Sequence, residues 1–325
     1  MGGRGPGRLL PLVVKASAPG KIILFGEHAV VYGRPALAVP VTQVRADVDV
    51  EVSARPGIWI EAPDVQLSAE LKSLPGPNPL AALVHNLLLA LGIDPYPNLT
   101  IRISSTIPVA SGLGSGAAVS VALIRALAST LQRPLSDEQV SACAYEIEKM
   151  HHGTPSGIDN TVVTYARPVY FVKGRPIEML HVREPFTIVI GHTGVAAPTR
   201  ESVADVRQLW QNDPATWDVV FDGIQALVRM AREAIETGMW RHLGPLMNEN
   251  HALLQRLTVS SPELDRLILA ARQAGALGAK LSGGGRGGNM IALAPESGPR
   301  AIADALTAAG SPRIIITTVE SSPAA

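Results

Sequence analysis

With 325 residues the chain is long enough for two domains, and its 46% of apolar residues is enough for two sizeable cores. Its 28 basic and 28 acidic residues cancel, so it lacks the overall positive field of a nucleic-acid binder or of a protein drawn to an anionic membrane. The single cysteine, Cys143, excludes an internal disulfide, and no apolar run reaches the roughly 18 residues of a membrane span. A soluble, cytoplasmic protein is expected.

Residues 1–8 read as a tail and Leu12–Ser17 as a first strand. Three strand patterns follow, "RPALAVPV", "RADVDVEVS" with strict alternation, and "GIWIEAP". Residues 78–92 form a helical pattern closed by Gly92, and "LTIRISST" at 99–106 alternates again. A helix is predicted over 116–131, and Ser136 with Gln139 has the spacing of a capping box opening the next. Residues 151–160 read as a loop and "TVVTYARPVYFV" as strands. The second half begins with a buried-looking strand at 185–195. Helical patterns then run from about 200 to 275, with breaks near Pro214, Gly238, Pro245 and Pro262. A strand, a glycine turn and a strand occupy 278–294, followed by a helix at 299–309 and a strand at 313–320. The domain boundary is placed between residues 183 and 184.

The stretch "PVASGLGSGAAVS" at 108–120 puts Gly112, Gly114 and Gly116 just before a helix. Glycine admits positive φ and lets a ligand approach the main chain. A helix N-terminus offers unpaired N–H groups and a dipole that favours anions, so the pattern suits phosphate. A Walker A loop is excluded because no lysine follows. The dinucleotide fingerprint G-x-G-x-x-[GA] does match at 112–117, but the next segment is a second helix rather than the strand that fingerprint requires.

"PVASGLGSGAA" resembles the second signature of the GHMP kinases. "APGKIILFGEHAVVYGRPALA" at 18–38 resembles their first signature and "AKLSGGGRGGNMIAL" at 279–293 their third. Within that superfamily, "GEHAVVYG" and "EKMHHGTPSGIDN" are similar to the mevalonate kinase family. The resemblance implies an α+β, two-domain GHMP kinase fold. Its N-terminal domain would be ribosomal protein S5 domain 2-like, its C-terminal domain ferredoxin-like, with the reactants between them. It also implies transfer of phosphate from ATP, with Mg2+, to the primary hydroxyl of mevalonate in isoprenoid synthesis. No nucleic acid or membrane partner is implied, and a homodimer is compatible. The alternative is a sister enzyme acting on phosphomevalonate or another small alcohol. That enzyme would need extra cations in the acceptor pocket, and the sequence shows none obvious there.

Carried over residue by residue, the resemblance makes Asp159 the catalytic aspartate and Lys21 its partner. Ala110, Ser111, Gly112, Leu113, Gly114, Ser115 and Gly116 form the phosphate cradle, and Ser105 is a nucleotide contact. Glu148 becomes the metal-ligating glutamate. The family's usual second serine is here Gly116, so Ser115 or a water takes its place on the metal. Glu27, His28, Ser156, Thr193 and Thr199 are assigned to the substrate pocket, with His28 or Lys21 left to meet a substrate carboxylate. Arg286, in the third glycine run, either reaches a phosphate or points to solvent.

Overall fold

The computed structural model describes residues 13–74, 78–108, 111–152 and 156–323. Strand β1 (Val14–Phe25) alternates in burial over Val14–Ser17 and is buried on both faces from Ala18 onward. It pairs antiparallel with β2 (Ala36–Val52) through two register shifts, one between Pro19 and Gly20. The two strand patterns of that region are thus one long strand. Pro40 sits inside it, paired across from Lys21. In its second half Val44, Ala46, Val48 and Val50 point into the core. That alternation fixes the register, because a one-residue slip would expose all four.

β3 (Ile58–Ala62), β4 (Leu67–Glu70), β5 (Leu99–Ser105), β6 (Val169–Phe171) and β7 (Glu178–Met179) complete the first sheet, in the order β4-β3-β5-β2-β6-β7 with β1 on β2. Against it pack α2 (Ser115–Thr130) and α4 (Ile158–Tyr165), with α1 (Pro79–Ala90) and α3 (Asp137–His152) packed on those helices and on each other: α1 on α2 and α3, and α3 on α2 and α4. α2 is alanine-rich and buried almost all round, which suits a central helix. The capping box of α3 forms as expected: Gln139 Oε1 accepts from the Ser136 N–H at 2.9 Å.

α4 corrects the sequence reading, which took Thr161–Thr164 for strand. Local β preference loses here to tertiary packing. Ile158 and Val162, one turn apart, bury against Ile23, Val30, Ala36 and Ala38 in a small second cluster. Gly157, at φ 92°, makes the entry turn.

The second sheet contains β8 (Phe186–His192), β9 (Gly278–Ser282), β10 (Asn289–Leu293) and β11 (Arg313–Val319), all antiparallel in the order β11-β8-β10-β9. α5 (Thr199–Asn212), α6 (Pro214–Thr237), α7 (Leu243–Arg256) and α8 (Pro262–Gln273) lie between β8 and β9, and α9 (Arg300–Ala308) between β10 and β11. This is the βαββαβ, ferredoxin-like connectivity with extra helices. Pro245 does not break a helix. It falls in the first turn of α7, where a missing N–H costs nothing. Buried apolar residues from both sheets form one connected core.

Candidate active site

A cavity of about 490 Å³ lies where the end of β1, the start of α4 and the first turns of α5 converge. Lys21, Glu27, His28, Glu148, Ser156, Asp159 and Thr199 all line it. Seven residues from four sequence regions are therefore brought to one place.

Lys21 reaches it from the doubly buried half of β1. Its Nζ lies 2.9 Å from Asp159 Oδ1; the lysine side chain is 5% exposed and the aspartate 32%. Asp159 stands in the first turn of α4, held by the packing of its neighbour Ile158 and of Val162. The Lys21 N–H donates to the Leu113 carbonyl at 2.9 Å, which ties the pair to the glycine turn. Gly114 adopts φ 75° at the head of α2, and a Cβ there would sit 2.9 Å from Lys21 Cγ. No side chain caps α2. Its first N–H groups are thus left for another acceptor beside the Lys21 ammonium, an arrangement suited to phosphate. Ser111 is buried, its hydroxyl donating to the Pro108 carbonyl at 2.8 Å. Its own carbonyl accepts from Asn289 Nδ2 at 2.5 Å, a link to the second sheet.

Burial, and then the neighbouring Asp159, push the Glu148 carboxyl up to about 8 against the pull of Lys21. Such a group gains from a nearby cation. Glu148, Asp159 and the Ser115 hydroxyl are hard oxygen donors of the kind Mg2+ takes while keeping several waters. No group of three or more His, Cys, Asp or Glu with metal-binding geometry occurs among the described residues. Any metal held here would therefore keep ligands from water or nucleotide. Burial lowers His28 to about 4 despite its 3.1 Å contact with the Gly284 carbonyl. The imidazole is neutral near pH 7, and since a carbonyl accepts, Nε2 carries the proton and Nδ1 is an acceptor. A neutral His28 does not supply the positive charge for a substrate carboxylate.

Ser156 Oγ accepts from the Ile158 N–H at 3.3 Å. Thr193 is buried away from the cavity lining, its hydroxyl donating to the Gly288 carbonyl at 3.1 Å. Ser105 also lies off the cavity lining, at the end of β5, where its hydroxyl accepts from the Ile107 N–H at 3.1 Å. Ala110 falls outside the described residues. Arg286 is neither free in solvent nor aimed at a ligand: it pairs with Asp205 of α5 and donates to the Thr258 carbonyl.

Sequence reasoning missed Lys280, which is fully buried in β9 and paired with Glu27. Burial pushes the Glu27 carboxyl up and the Lys280 ammonium down, each opposed by the other's charge. Breaking such a buried pair from one side costs about 3–5 kcal/mol. A lysine among the small and apolar residues of "GAKLS" was the available signal. Arg200 and Arg207 were missed too, and both line the cavity from α5. Their seven-residue spacing is two helical turns, which places them on one face. The expectation of no extra cation in the pocket is corrected by these two residues.

Comparison with known proteins gives the family. The family described as GHMP kinases N terminal domain matches residues 79–167, and GHMP kinases C terminal matches 231–312. A mevalonate kinase of Pyrococcus abyssi is 38% identical over 318 residues, covering 93% of this chain and 94% of the relative. The crystal structure of L. major mevalonate kinase in complex with R-mevalonate superposes with a TM-score of 0.83 at 32% identity, covering 97% of this chain and 98% of that one. The Methanococcus jannaschii mevalonate kinase structure gives 0.79 at 25% identity, over 96% and 98%. The chain belongs to the GHMP kinases and, within them, to the mevalonate kinase family.

Proposed function

We propose that this protein transfers the γ-phosphoryl group of ATP to the primary hydroxyl of (R)-mevalonate, giving 5-phosphomevalonate and ADP. The observation that carries the reading is the 2.9 Å Lys21–Asp159 pair, set between the uncapped head of α2 and the 490 Å³ cavity. A division after residue 183 accompanies it, supported by β7 joining the first sheet at 178–179 and β8 the second at 186–192.

Catalysis here is mainly positioning and charge stabilisation, because the loose transition state of phosphoryl transfer asks little of a base. Asp159 accepts the hydrogen of the acceptor hydroxyl and orients its oxygen in line. Lys21 neutralises charge as the alkoxide character and the phosphoryl oxygens develop. Residues 111–116 hold the triphosphate through main-chain N–H groups, with Ala110 and Ser105 assigned to the nucleotide side on the family resemblance. Glu148 and Ser115 are the residues that would hold Mg2+, which would supply positive charge against the phosphate oxygens. Glu27, His28, Ser156 and Thr199 shape the acceptor end of the cavity, and Thr193 is assigned to the substrate side on the family resemblance alone. Arg200 and Arg207 supply the positive charge a substrate carboxylate requires.

Those two arginines also favour one second reading, an acceptor that already carries a phosphate. An ADP-release assay across mevalonate, phosphomevalonate, homoserine and galactose decides between them. Turnover with mevalonate alone is expected, and turnover confined to phosphomevalonate would overturn the assignment. In the same assay Asp159→Asn should lower kcat by about 10²–10⁴-fold with ATP affinity kept; an unchanged kcat would remove Asp159 from the mechanism.

A further inference from the structure

Three contacts join the second sheet to the end of β1, from residues 280, 282 and 284. Lys280 Nζ pairs with Glu27 and also donates to the Leu281 carbonyl at 2.7 Å. Ser282 Oγ donates to the Ile23 carbonyl at 2.7 Å. The Gly284 carbonyl accepts from His28 Nε2 at 3.1 Å. Lys280 and Ser282 are alternate residues of β9 and share a face, and with the main-chain carbonyl of Gly284 just beyond the strand they hold the segment from Ile23 to His28 that lines the cavity.

The charges along this seam alternate in sign. Asp159 pairs with Lys21, the Lys21 charge acts on Glu27, and Glu27 pairs with Lys280. Glu148, from α3, adds a third carboxyl that feels both Asp159 and Lys21. Glu27 is 1% exposed, and its Oε2 is buried with no partner. A carboxylate so enclosed cannot turn to water for a counter-charge. The cations that act on it are Lys280 and, more weakly, Lys21. We propose that Lys280 is a positioning residue for phosphoryl transfer: by satisfying Glu27 it leaves the Lys21 ammonium committed to Asp159 and the reacting oxygens. Lys280 does not line the cavity, so it acts only through Glu27. Without it, Glu27 and Asp159 compete for one ammonium, and Lys21 is drawn along the seam away from the acceptor hydroxyl. The inference rests on the phosphoryl-transfer reading of Lys21 and Asp159.

The test is a cycle of Lys280→Met, Glu27→Gln and the double variant, with Asp159→Asn alongside. For each, kcat, ATP KM and the thermal midpoint are measured. Lys280→Met is expected to lower kcat by about 30-fold or more with ATP KM within about threefold, a split that general loosening would not give. Neutralising Glu27 should remove the need for Lys280. The double variant should then match Glu27→Gln in kcat within about threefold and exceed Lys280→Met by about tenfold. The proposal is overturned if Lys280→Met keeps its kcat, if its loss lies in ATP KM, or if the two losses simply multiply in the double variant. Should Lys280→Met fail to fold, the comparison of Glu27→Gln with the double variant carries the test, and a further drop in kcat on removing Lys280 sinks it. Full turnover by Asp159→Asn would instead sink the underlying Lys21–Asp159 reading, whatever the cycle shows.

Discussion

In the glycine turn at 283–288, a methyl group added to Gly284 would sit 2.7 Å from Thr199 Oγ1, and one on Gly287 2.8 Å from the Ala196 carbonyl. At Gly285 the added carbon would overlap the Val259 carbonyl. In the turn at 111–116 the situation is reversed. Gly112 has Asn289 Nδ2 nearest at 3.6 Å, and Gly116 has nothing within 4 Å. Only Gly114 is crowded, and its neighbour is Lys21, which pairs with Asp159. Near-identical compositions thus answer different physical needs. In the later turn Gly284, Gly285 and Gly287 seat protein against protein, at Thr199 in the first turn of α5, at Val259 beyond α7 and at Ala196 in the loop before α5, while Gly283 is open. The earlier one keeps open space at an uncapped helix end.

Charge follows the same division. Arg286 of the later turn is already paired with Asp205. Glu148, by contrast, is held away from its ordinary ionisation by burial and by Asp159, against the pull of Lys21.

Substitutions that put this contrast under strain should differ in kind. Gly285→Ala is expected to have the largest effect, a loss of about 3 kcal/mol or more of folding stability, because it combines backbone overlap with φ 76°. Urea unfolding measures it. A loss under 1 kcal/mol would mean the turn yields easily and that its glycines are not needed for docking. Gly114→Ala should cost about 1–2 kcal/mol for φ 75° but about 10²-fold in kcat, since the new carbon pushes on Lys21. If kcat fell no further than stability explains, the crowding at Lys21 would be incidental.

The charge contrast has its own pH signature. Glu148 has a folded-state value of about 8, above its ordinary 4.5, so between those values the folded state holds a proton that the unfolded chain has lost. Stability contributed by this group is therefore present below pH 4.5 and is lost as pH rises towards 8. In chelator, wild type should lose more stability than Glu148→Gln between pH 5 and 8, and millimolar Mg2+ should restore part of the difference. Parallel curves for the two proteins would place Glu148 in an ordinary solvated setting. The same variant should need more Mg2+ for half-maximal turnover, by about tenfold.

Local pattern carried much of the fold, because strand alternation and helix caps are short-range. The capping box at Ser136 and Gln139 needed only four residues to be seen. α4 was misread because Thr161, Val162, Val163 and Thr164 look like strand until Ile23 and Ala36, more than a hundred residues earlier, are known to lie beneath them. The site divided in the same way. Asp159 and Lys21 were reached through motif resemblance, and their 2.9 Å approach is a tertiary fact. Lys280 and Asn289 were missed because each acquires its role from a partner distant in sequence, Glu27 and the Ser111 carbonyl, and Arg200 and Arg207 because only the fold turns that face of α5 to the cavity. Composition alone could not separate the two glycine turns, since what distinguishes them is the neighbour a Cβ would meet.

Gly116 offers the smallest effect and the sharpest reading of the contrast. It is the second residue of α2, in ordinary helical geometry with open space around it. Gly116→Ala should therefore raise stability, by about 0.5–1 kcal/mol, as alanine for glycine does in a helix. If the space belongs to the triphosphate, the added methyl crowds it, and ATP KM should rise about fivefold, equivalent to about 1 kcal/mol. Gly116→Ser carries the same carbon plus the hydroxyl common at this position in the family. It should lower the Mg2+ concentration needed for half-maximal turnover, which the alanine does not do. A more stable protein with unchanged ATP KM in both variants would show that the open side of this turn faces water rather than nucleotide. The distinction between the two turns would then be one of packing alone.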